Sequence, residues 1–357
     1  MNSLRVALVG CGRMGASTTE RTRSMLPPAW LPLSHAEAIA EHPGLQLVSV
    51  CDGDGDRAMA VGERLGIPPA ACMTDAVKML ASVQPDILAV ATRTPGRLEI
   101  IRAAVKHGVR GIHSEKPLAQ HLAEGESLMA EIAETGIYFT YGTLRRFMAP
   151  YRVAKMMVDR GDIGEVREIN IAHNYRELLM WSHPHSVDLL LFFGGREIET
   201  VNAVCDFGSA TATEKLIDCD PKVEFAHVVF ANGTRGLISS STGMSVTISG
   251  TEGAIRVVSN GERVELHRKV SPESVYFSDV VPVPVQVERS GTSQAFLELY
   301  NAIVEGTPPT ISPEEVALNQ RVLWAIASSG LQQGKAVRLN DINSQMVITG
   351  RFGELYA

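Results

Sequence analysis

Arg5-Val-Ala-Leu-Val-Gly10-Cys-Gly12-Arg-Met-Gly15 is a short aliphatic run that enters a G-x-G-x-x-G turn. A strand ending in such a turn opens a doubly wound α/β unit that binds a dinucleotide. The three glycines serve different ends. Gly10 turns the backbone tightly, Gly12 lets it approach a pyrophosphate, and Gly15 lets helix and strand touch. Gly10, Gly12, Arg13, Met14 and Gly15 are therefore the expected phosphate-binding residues. A helix directly after the turn is expected to aim its amide groups at the phosphates. The acidic half of the fingerprint is Asp52, at the end of Gln46-Leu-Val-Ser-Val-Cys-Asp52. It lies further from the turn than the usual ~20 residues, and the Pro-rich stretch 24–33 accounts for the excess. Asp52 is placed to accept hydrogen bonds from the adenosine ribose. Asp54 and Asp56 add charge that repels a 2′-phosphate, so NAD is expected and NADP disfavoured, with Arg57 as a nearby complication.

Outward from this turn, β-branched runs at 4–9, 45–50, 87–91 and 109–113 alternate with helical spacing at 75–80 and 96–107. Thr74 is the expected cap of the first of these helices. The pattern is that of a mostly parallel sheet with crossover helices, and a Rossmann domain is expected over residues 1–122. A second, α+β domain is expected over 123–357. Its elements are a helix at 124–135, a strand at 137–141, a helix at 150–160, a strand at 166–175 and a helix at 182–193. Asn232-Gly233 and Asn260-Gly261 are hairpin turns, so the sheet that follows is expected to be large and mostly antiparallel. Helices at 293–305 and 313–330 close the chain. Pro27, Pro28 and Pro32 cannot sit inside one helix. They predict an interruption that is a plain surface excursion, a flap over the site, or a subunit contact through Trp30.

The 357 residues suffice for two cores. With 33 Lys and Arg against 40 Asp and Glu the net charge is −7, which offers no basic excess for nucleic acid. The apolar run at 189–193 is far too short to cross a bilayer, and nothing at the N-terminus reads as a signal peptide. Five scattered cysteines form neither a disulfide framework nor a zinc site, so a reducing cytoplasm is expected. Cys11 is read as a small residue tolerated in the turn.

Two segments could carry chemistry. His113-Ser-Glu115-Lys116-Pro117 follows a strand whose carboxyl end borders the ligand crevice, and the proline restricts the backbone of Lys116. In Trp181-Ser-His183-Pro-His185-Ser-Val-Asp188, Pro184 fits only the first helical turn, so the helix starts at Ser182 or His183. That start keeps the His185 ring neutral and ready to accept a proton. Asp188 shares its face and is expected to orient it. His183 and His185, two apart on a helix, diverge and are no metal pair, so no metal is expected.

Together these segments resemble the glucose-fructose oxidoreductase / inositol dehydrogenase (Gfo/Idh/MocA) family over nearly the whole chain. The resemblance rests on the Gly10–Gly15 turn, Glu115-Lys116-Pro117, Tyr141-Gly-Thr-Leu-Arg-Arg146-Phe147, Gly161-Asp-Ile-Gly164-Glu, His185-x-x-Asp188, and Phe296-Leu-Glu-Leu-Tyr-Asn-Ala-Ile303 ahead of Gly306-Thr-Pro-Pro309. It implies an NAD(P)-dependent oxidoreductase of secondary alcohols on sugars or cyclitols, assembled as a homodimer or homotetramer. It further implies that Lys116 is catalytic and adjoins the cofactor, and that His185 moves the hydroxyl proton. Glu115 and Thr92 would lie beside the nicotinamide ribose. Where the family commonly has an Asp four residues before this histidine, the chain has Trp181. Tyr175 is the candidate to assist, with Glu177 and His183 behind it, while Trp181 either stacks on a sugar ring or packs in the core. Arg146, Tyr175, Trp181, His183 and Asp188 are the expected substrate contacts. Two of Arg145, Arg146 and Arg176 in the pocket would suit an acidic sugar. Two alternatives stay open: an NAD-retaining elimination or glycosidase-type reaction, and a non-catalytic NAD-binding sensor.

Overall fold

The structure, a computed structural model, describes residues 3–174 and 177–350. Its first sheet is built from β1 (Leu4–Val9), β2 (Leu45–Cys51), β3 (Cys72–Met73), β4 (Ile87–Val90), β5 (Gly111–Ser114) and β6 (Tyr138–Tyr141). The six strands are all parallel and run in the order β3-β2-β1-β4-β5-β6. The order reverses at β1, and the crevice at that switch point lies beyond the Gly10–Gly15 turn. β4 and β5 are buried along their whole length, as expected of strands covered on both faces.

Between β1 and β2 the chain forms two short helices, α1 (Glu20–Met25) and α2 (His35–Ala40), separated by a 3₁₀ turn at Pro28–Trp30. α3 (Gly55–Leu65), α4 (Ala76–Val83), α5 (Arg97–Lys106) and α6 (Leu122–Thr135) are the crossovers that follow. Asp75, not Thr74, caps α4. Its carboxylate accepts from the amides of both Val77 and Lys78 at 3.0 Å, satisfying two orphan donors where a hydroxyl one residue earlier would satisfy fewer.

The second sheet uses β7 (Val166–Asn174), β8 (Ile198–Asp206), β10 (Lys222–Phe230), β11 (Arg235–Ser241), β12 (Ser245–Gly250), β13 (Gly253–Val258), β14 (Arg263–Arg268) and β15 (Asp279–Val283). A two-residue strand, β9 (Leu216–Ile217), pairs elsewhere. The order is β15-β14-β13-β12-β7-β11-β10-β8, antiparallel except for β7 with β11. Asn232-Gly233 and Asn260-Gly261 sit at the turns of two hairpins, and Asn260 (φ 58°) and Gly261 (φ 97°) take the left-handed conformations such turns demand. α7 (Ala149–Arg160), α8 (His183–Gly194) and α10 (Pro313–Leu331) cover one face. On the other strand faces Val204, Phe225 and Val280 remain exposed.

The division expected at residue 122 is crossed twice. β6 completes the first sheet, and α9 (Gly291–Glu305) returns from the C-terminal part to pack on β5, β6 and α2. Its Phe296 and Leu299 are fully buried in the cluster that holds Leu8, Val50 and Ile87. Each such side chain contributes about 1.5–3 kcal/mol of burial, so the two sheets are fastened by shared core.

Candidate active site

The Gly-rich turn can be tested glycine by glycine. Gly10 has φ +98°, and a Cβ there would meet the backbone of Ala91 at 2.6 Å. A Cβ on Gly15 would meet Gly10 O at 1.8 Å, whereas one on Gly12 would meet nothing within 4 Å. Gly10 and Gly15 are thus required by the protein's own packing, while Gly12 is open to an incoming group, as a pyrophosphate cradle requires. Arg13 is exposed and Met14 half-buried beside it. The helix expected directly after the turn is absent. One turn forms, with Ala16 N donating to Gly12 O at 2.7 Å, and α1 starts only at Glu20. α2 instead buttresses the turn from behind: His35 N and Ala36 N donate to Met14 O and Gly15 O at 2.8 and 2.9 Å, so these amides are spent on the turn's own carbonyls. Pro27, Pro28 and Pro32 enforce this break. Asp52 accepts from Cys11 N at 2.8 Å and Asp54 N at 3.0 Å, and it pairs with Arg57 at 3.2 Å. Cys11 is buried, and burial pushes its thiol up to about 12, so it is no nucleophile.

At the ends of β4 and β5 one buried side chain, Arg97, collects three carbonyls. It donates to Glu115 O at 2.5 Å and also to Pro117 O and Thr92 O. The guanidinium thereby locks Thr92 and the Glu115-Lys116-Pro117 segment into one rigid edge, with a cis bond between Lys116 and Pro117. The Glu115 carboxylate lies 3.3 Å from His35 Nε2, and that hydrogen bond and the charges around it hold its pKa down at about 2 against the cost of burial. His113, pushed down to about 3 by burial, bonds Thr140 through Nδ1 at 2.9 Å. The ligand atoms of His35, His113 and Glu115 lie within 4.8 Å of one another.

Lys116 reaches across to the segment that leads into α8. Its Nζ donates to Trp181 O at 2.6 Å and sits 4.2 Å from the Trp181 ring centre. Burial pushes the ammonium down to about 8, opposed by Glu115 and Asp220. Trp181 is 37% exposed, which removes the core-tryptophan reading. Its N–H and that of Met180 donate to the Asp220 carboxylate at 3.0 and 2.7 Å, and burial pushes that carboxyl up to about 7. A carboxylate is therefore present beside Lys116, supplied by the segment before β10 rather than by position 181.

α8 starts at His183 after Ser182, with Pro184 in its first turn. His185 is half-buried, and its pKa is driven well below the usual 6.5, first by burial and then by Arg145, Lys116, His173 and His183. The helix end is not needed to keep it neutral. Its Nδ1 has no partner among the described residues. His183, buried and bonded to Ser186 Oγ at 3.1 Å, meets His173 edge to face at 5.5 Å. Burial pushes these two rings down to about 4 and about 3. His173 ends the buried face of β7 begun by Ile169 and Ile171, so the strand's period of two could have marked it. Arg97 and Asp220 carry no local motif.

Two expected substrate contacts are corrected. Arg146 and Asp188 are fully buried and pair with each other at 2.8 Å, and Arg146 also bonds Thr310 O at 2.8 Å and meets Glu315 at 3.5 Å. A buried charge must be paired, so neither is free to contact substrate, and Asp188 does not orient His185. Tyr175 and Arg176 lie outside the described residues. Glu177 bonds Ser182 Oγ and lies 3.6 Å from His173.

Residues 4–143 match the family described as an oxidoreductase family with an NAD-binding Rossmann fold, GFO_IDH_MocA. The inositol 2-dehydrogenase of Pseudarthrobacter chlorophenolicus is 30% identical over 213 residues, covering 56% of each chain. The alignments to the first three such relatives span 30% to 56% of those proteins. The myo-inositol 2-dehydrogenase of Thermotoga maritima aligns over 95% of this chain and 99% of its own length, at 23% identity. Among solved structures, levoglucosan dehydrogenase with NADH superposes with a TM-score of 0.76 at 19% identity, covering 95% of this chain and 99% of that one. The aldose-aldose oxidoreductase of Caulobacter crescentus gives 0.73 at 18% identity, covering 94% and 100%. With the cradle and the Glu-Lys-Pro edge in place, residues 4–143 match the Gfo/Idh/MocA oxidoreductase family, and the two-sheet fold of the chain is that of the solved structures it superposes on.

Proposed function

We propose that the protein is a dehydrogenase or ketoreductase acting on a secondary alcohol of a sugar, cyclitol or derivative. The carrying observation is the bond from Lys116 Nζ to Trp181 O, which brings the Rossmann edge to the α8 start beside His185. Bound nicotinamide supplies hydride acceptance and donation at C4. The neutral His185 ring takes the hydroxyl proton in oxidation and returns it in reduction, and the Lys116 ammonium polarises the oxygen. Gly10, Gly12, Arg13, Met14 and Gly15 hold the pyrophosphate, Asp52 the adenosine ribose, and Thr92 and Glu115 the nicotinamide ribose. Trp181 and His183 line the substrate side.

NAD is preferred over NADP in this reading, because Arg57 is already paired with Asp52 and Asp54 at 3.2 and 3.1 Å and so has no charge to spare for a 2′-phosphate. The exposed Val204, Phe225 and Val280 support a homodimer or homotetramer formed through the open sheet face. Five cysteines scattered along the chain favour a reducing cytoplasm, and no helix among the described residues is long and apolar enough to cross a membrane. NADH absorbance, followed with myo-inositol, scyllo-inositol, levoglucosan and hexoses, tests the assignment. Oxidation of at least one with a lower KM for NAD than for NADP is expected. No NADH from any of them overturns the activity, and a preference for NADP overturns the cofactor reading.

A further inference from the structure

His35 opens α2, is fully buried, and touches both the Gly-rich turn and the Glu-Lys-Pro edge. Its backbone N–H donates to Met14 O of the turn at 2.8 Å, and Ala36 N follows to Gly15 O at 2.9 Å. Its side chain reaches the edge, with Nε2 3.3 Å from Glu115 Oε1. A carboxylate only accepts, so Nε2 carries the proton and donates. The other oxygen of Glu115 accepts from Lys116 N at 3.2 Å. One residue thus joins the turn to the Glu115-Lys116-Pro117 segment through two bonds. Its ring has little freedom. It lies edge to face with His113 of β5 and Phe296 of α9, at 4.7 and 5.7 Å between ring centres, and His113 is held in turn by Thr140 of β6 at 2.9 Å. The helix is fixed as well. Glu37 Oε2 accepts from Thr18 Oγ1 at 2.7 Å and from Ser34 Oγ at 2.6 Å, which ties α2 to the chain just past the turn.

We propose that His35 is a positioning residue that keeps the phosphate turn and the Glu115-Lys116-Pro117 edge in register, so that one dinucleotide can engage both. This rests on the cofactor placement proposed above. Two contact surfaces held at a fixed spacing spare the cost of ordering them on binding. Without the brace each half stays intact but the two are no longer aligned. Arg97 and Lys116 both act on Glu115, so cations already oppose its charge. The His35–Glu115 contact therefore works as a hydrogen-bonded brace rather than as part of a metal site.

The test measures the Kd of the full chain for NADH and for ADP by calorimetry, since ADP carries the adenosine and the pyrophosphate but lacks the nicotinamide half. His35→Ala should raise the Kd for NADH about 10-fold and leave that for ADP unchanged. His35→Gln, whose amide can donate from near the Nε2 position, should restore most of the NADH affinity. His35→Asn, whose shorter amide falls near the Nδ1 position, should not. Added to Glu115→Ala, His35→Ala should cost little more, because it acts through that carboxylate. Equal weakening of NADH and ADP would make His35 a support of the turn alone and overturn the proposal. Unchanged NADH affinity, or a full further loss in the double variant, would overturn it too. If His35→Ala does not fold, the Gln and Asn variants decide, and equal NADH-to-ADP ratios in those two overturn the brace. A wild type that binds neither nucleotide overturns the cofactor placement, and the brace with it, before any variant is made.

Discussion

Lys116 and Asp220 stand at the two ends of one short chain of contacts. The lysine ammonium donates to Trp181 O, and the Trp181 N–H donates to the aspartate. Burial moves the two groups toward each other, the ammonium down to about 8 and the carboxyl up to about 7. Glu115, Arg97 and Arg145 are the other charges that act on Lys116. Below about 7 Asp220 gains a proton, above about 8 Lys116 loses one, and His185 stays neutral throughout. In the proposed reaction Lys116 works as an ammonium. The kcat/KM for oxidation should therefore show a narrow optimum bounded by apparent values that belong to the pair. Asp220→Asn should remove the acid limb and leave the alkaline one. A rate that climbs through pH 8 would make Lys116 the proton acceptor and reverse the assigned roles.

At the scale of elements, the Gly-rich turn and the Pro-rich strap make separate predictions. Gly12→Val places a side chain where the protein has no atoms within 4 Å, so Tm should hold while the Kd for NAD rises at least ~10-fold, because the pyrophosphate loses close backbone approach. Isothermal titration beside thermal unfolding checks this, and unchanged NAD affinity would remove the turn from the cofactor site. The strap is no loose flap. Trp30 Nε1 donates to Asn260 O at 3.0 Å, and Ser290 Oγ and Thr292 Oγ1 donate to Pro32 O and Leu33 O at 2.7 and 3.0 Å. It therefore ties the Rossmann part to the β13–β14 hairpin and to α9. Trp30→Ala should cost about 3 kcal/mol of stability, read by denaturant titration, and a loss near zero would show the strap to be dispensable. Elements were legible wherever a cause was local, as in the strand before Gly10, the Asn260-Gly261 hairpin and Pro184 opening α8. They misled where one side chain outcompeted another, as Asp75 did Thr74, or where three prolines moved the supporting helix to His35.

Across the whole molecule, the site exists because β6 and α9 bind the two sheets into one body, which leaves the Glu115-Lys116-Pro117 edge facing the start of α8. The contiguous motifs that meet there, Gly10 to Gly15, Glu115 to Pro117 and His185, could be located from the chain because each lies within one local pattern. Arg97 and Asp220 could not, since each acts through a partner far off in sequence. Arg146 and Asp188 misled for the opposite reason: they share a motif with the site but spend their charge on each other. The central claim is that Lys116 and His185 act on the same hydroxyl. The direct measurement is a double-mutant cycle of single-turnover hydride transfer with Lys116→Ala, His185→Ala and the double variant, using the compound that wild type oxidises fastest. Each single change should slow transfer by ~10²-fold or more with NADH affinity retained, and the double variant should be little slower than the worse single one, because the two groups act as a unit. Fully additive losses, or a rate untouched by either substitution, would contradict the account.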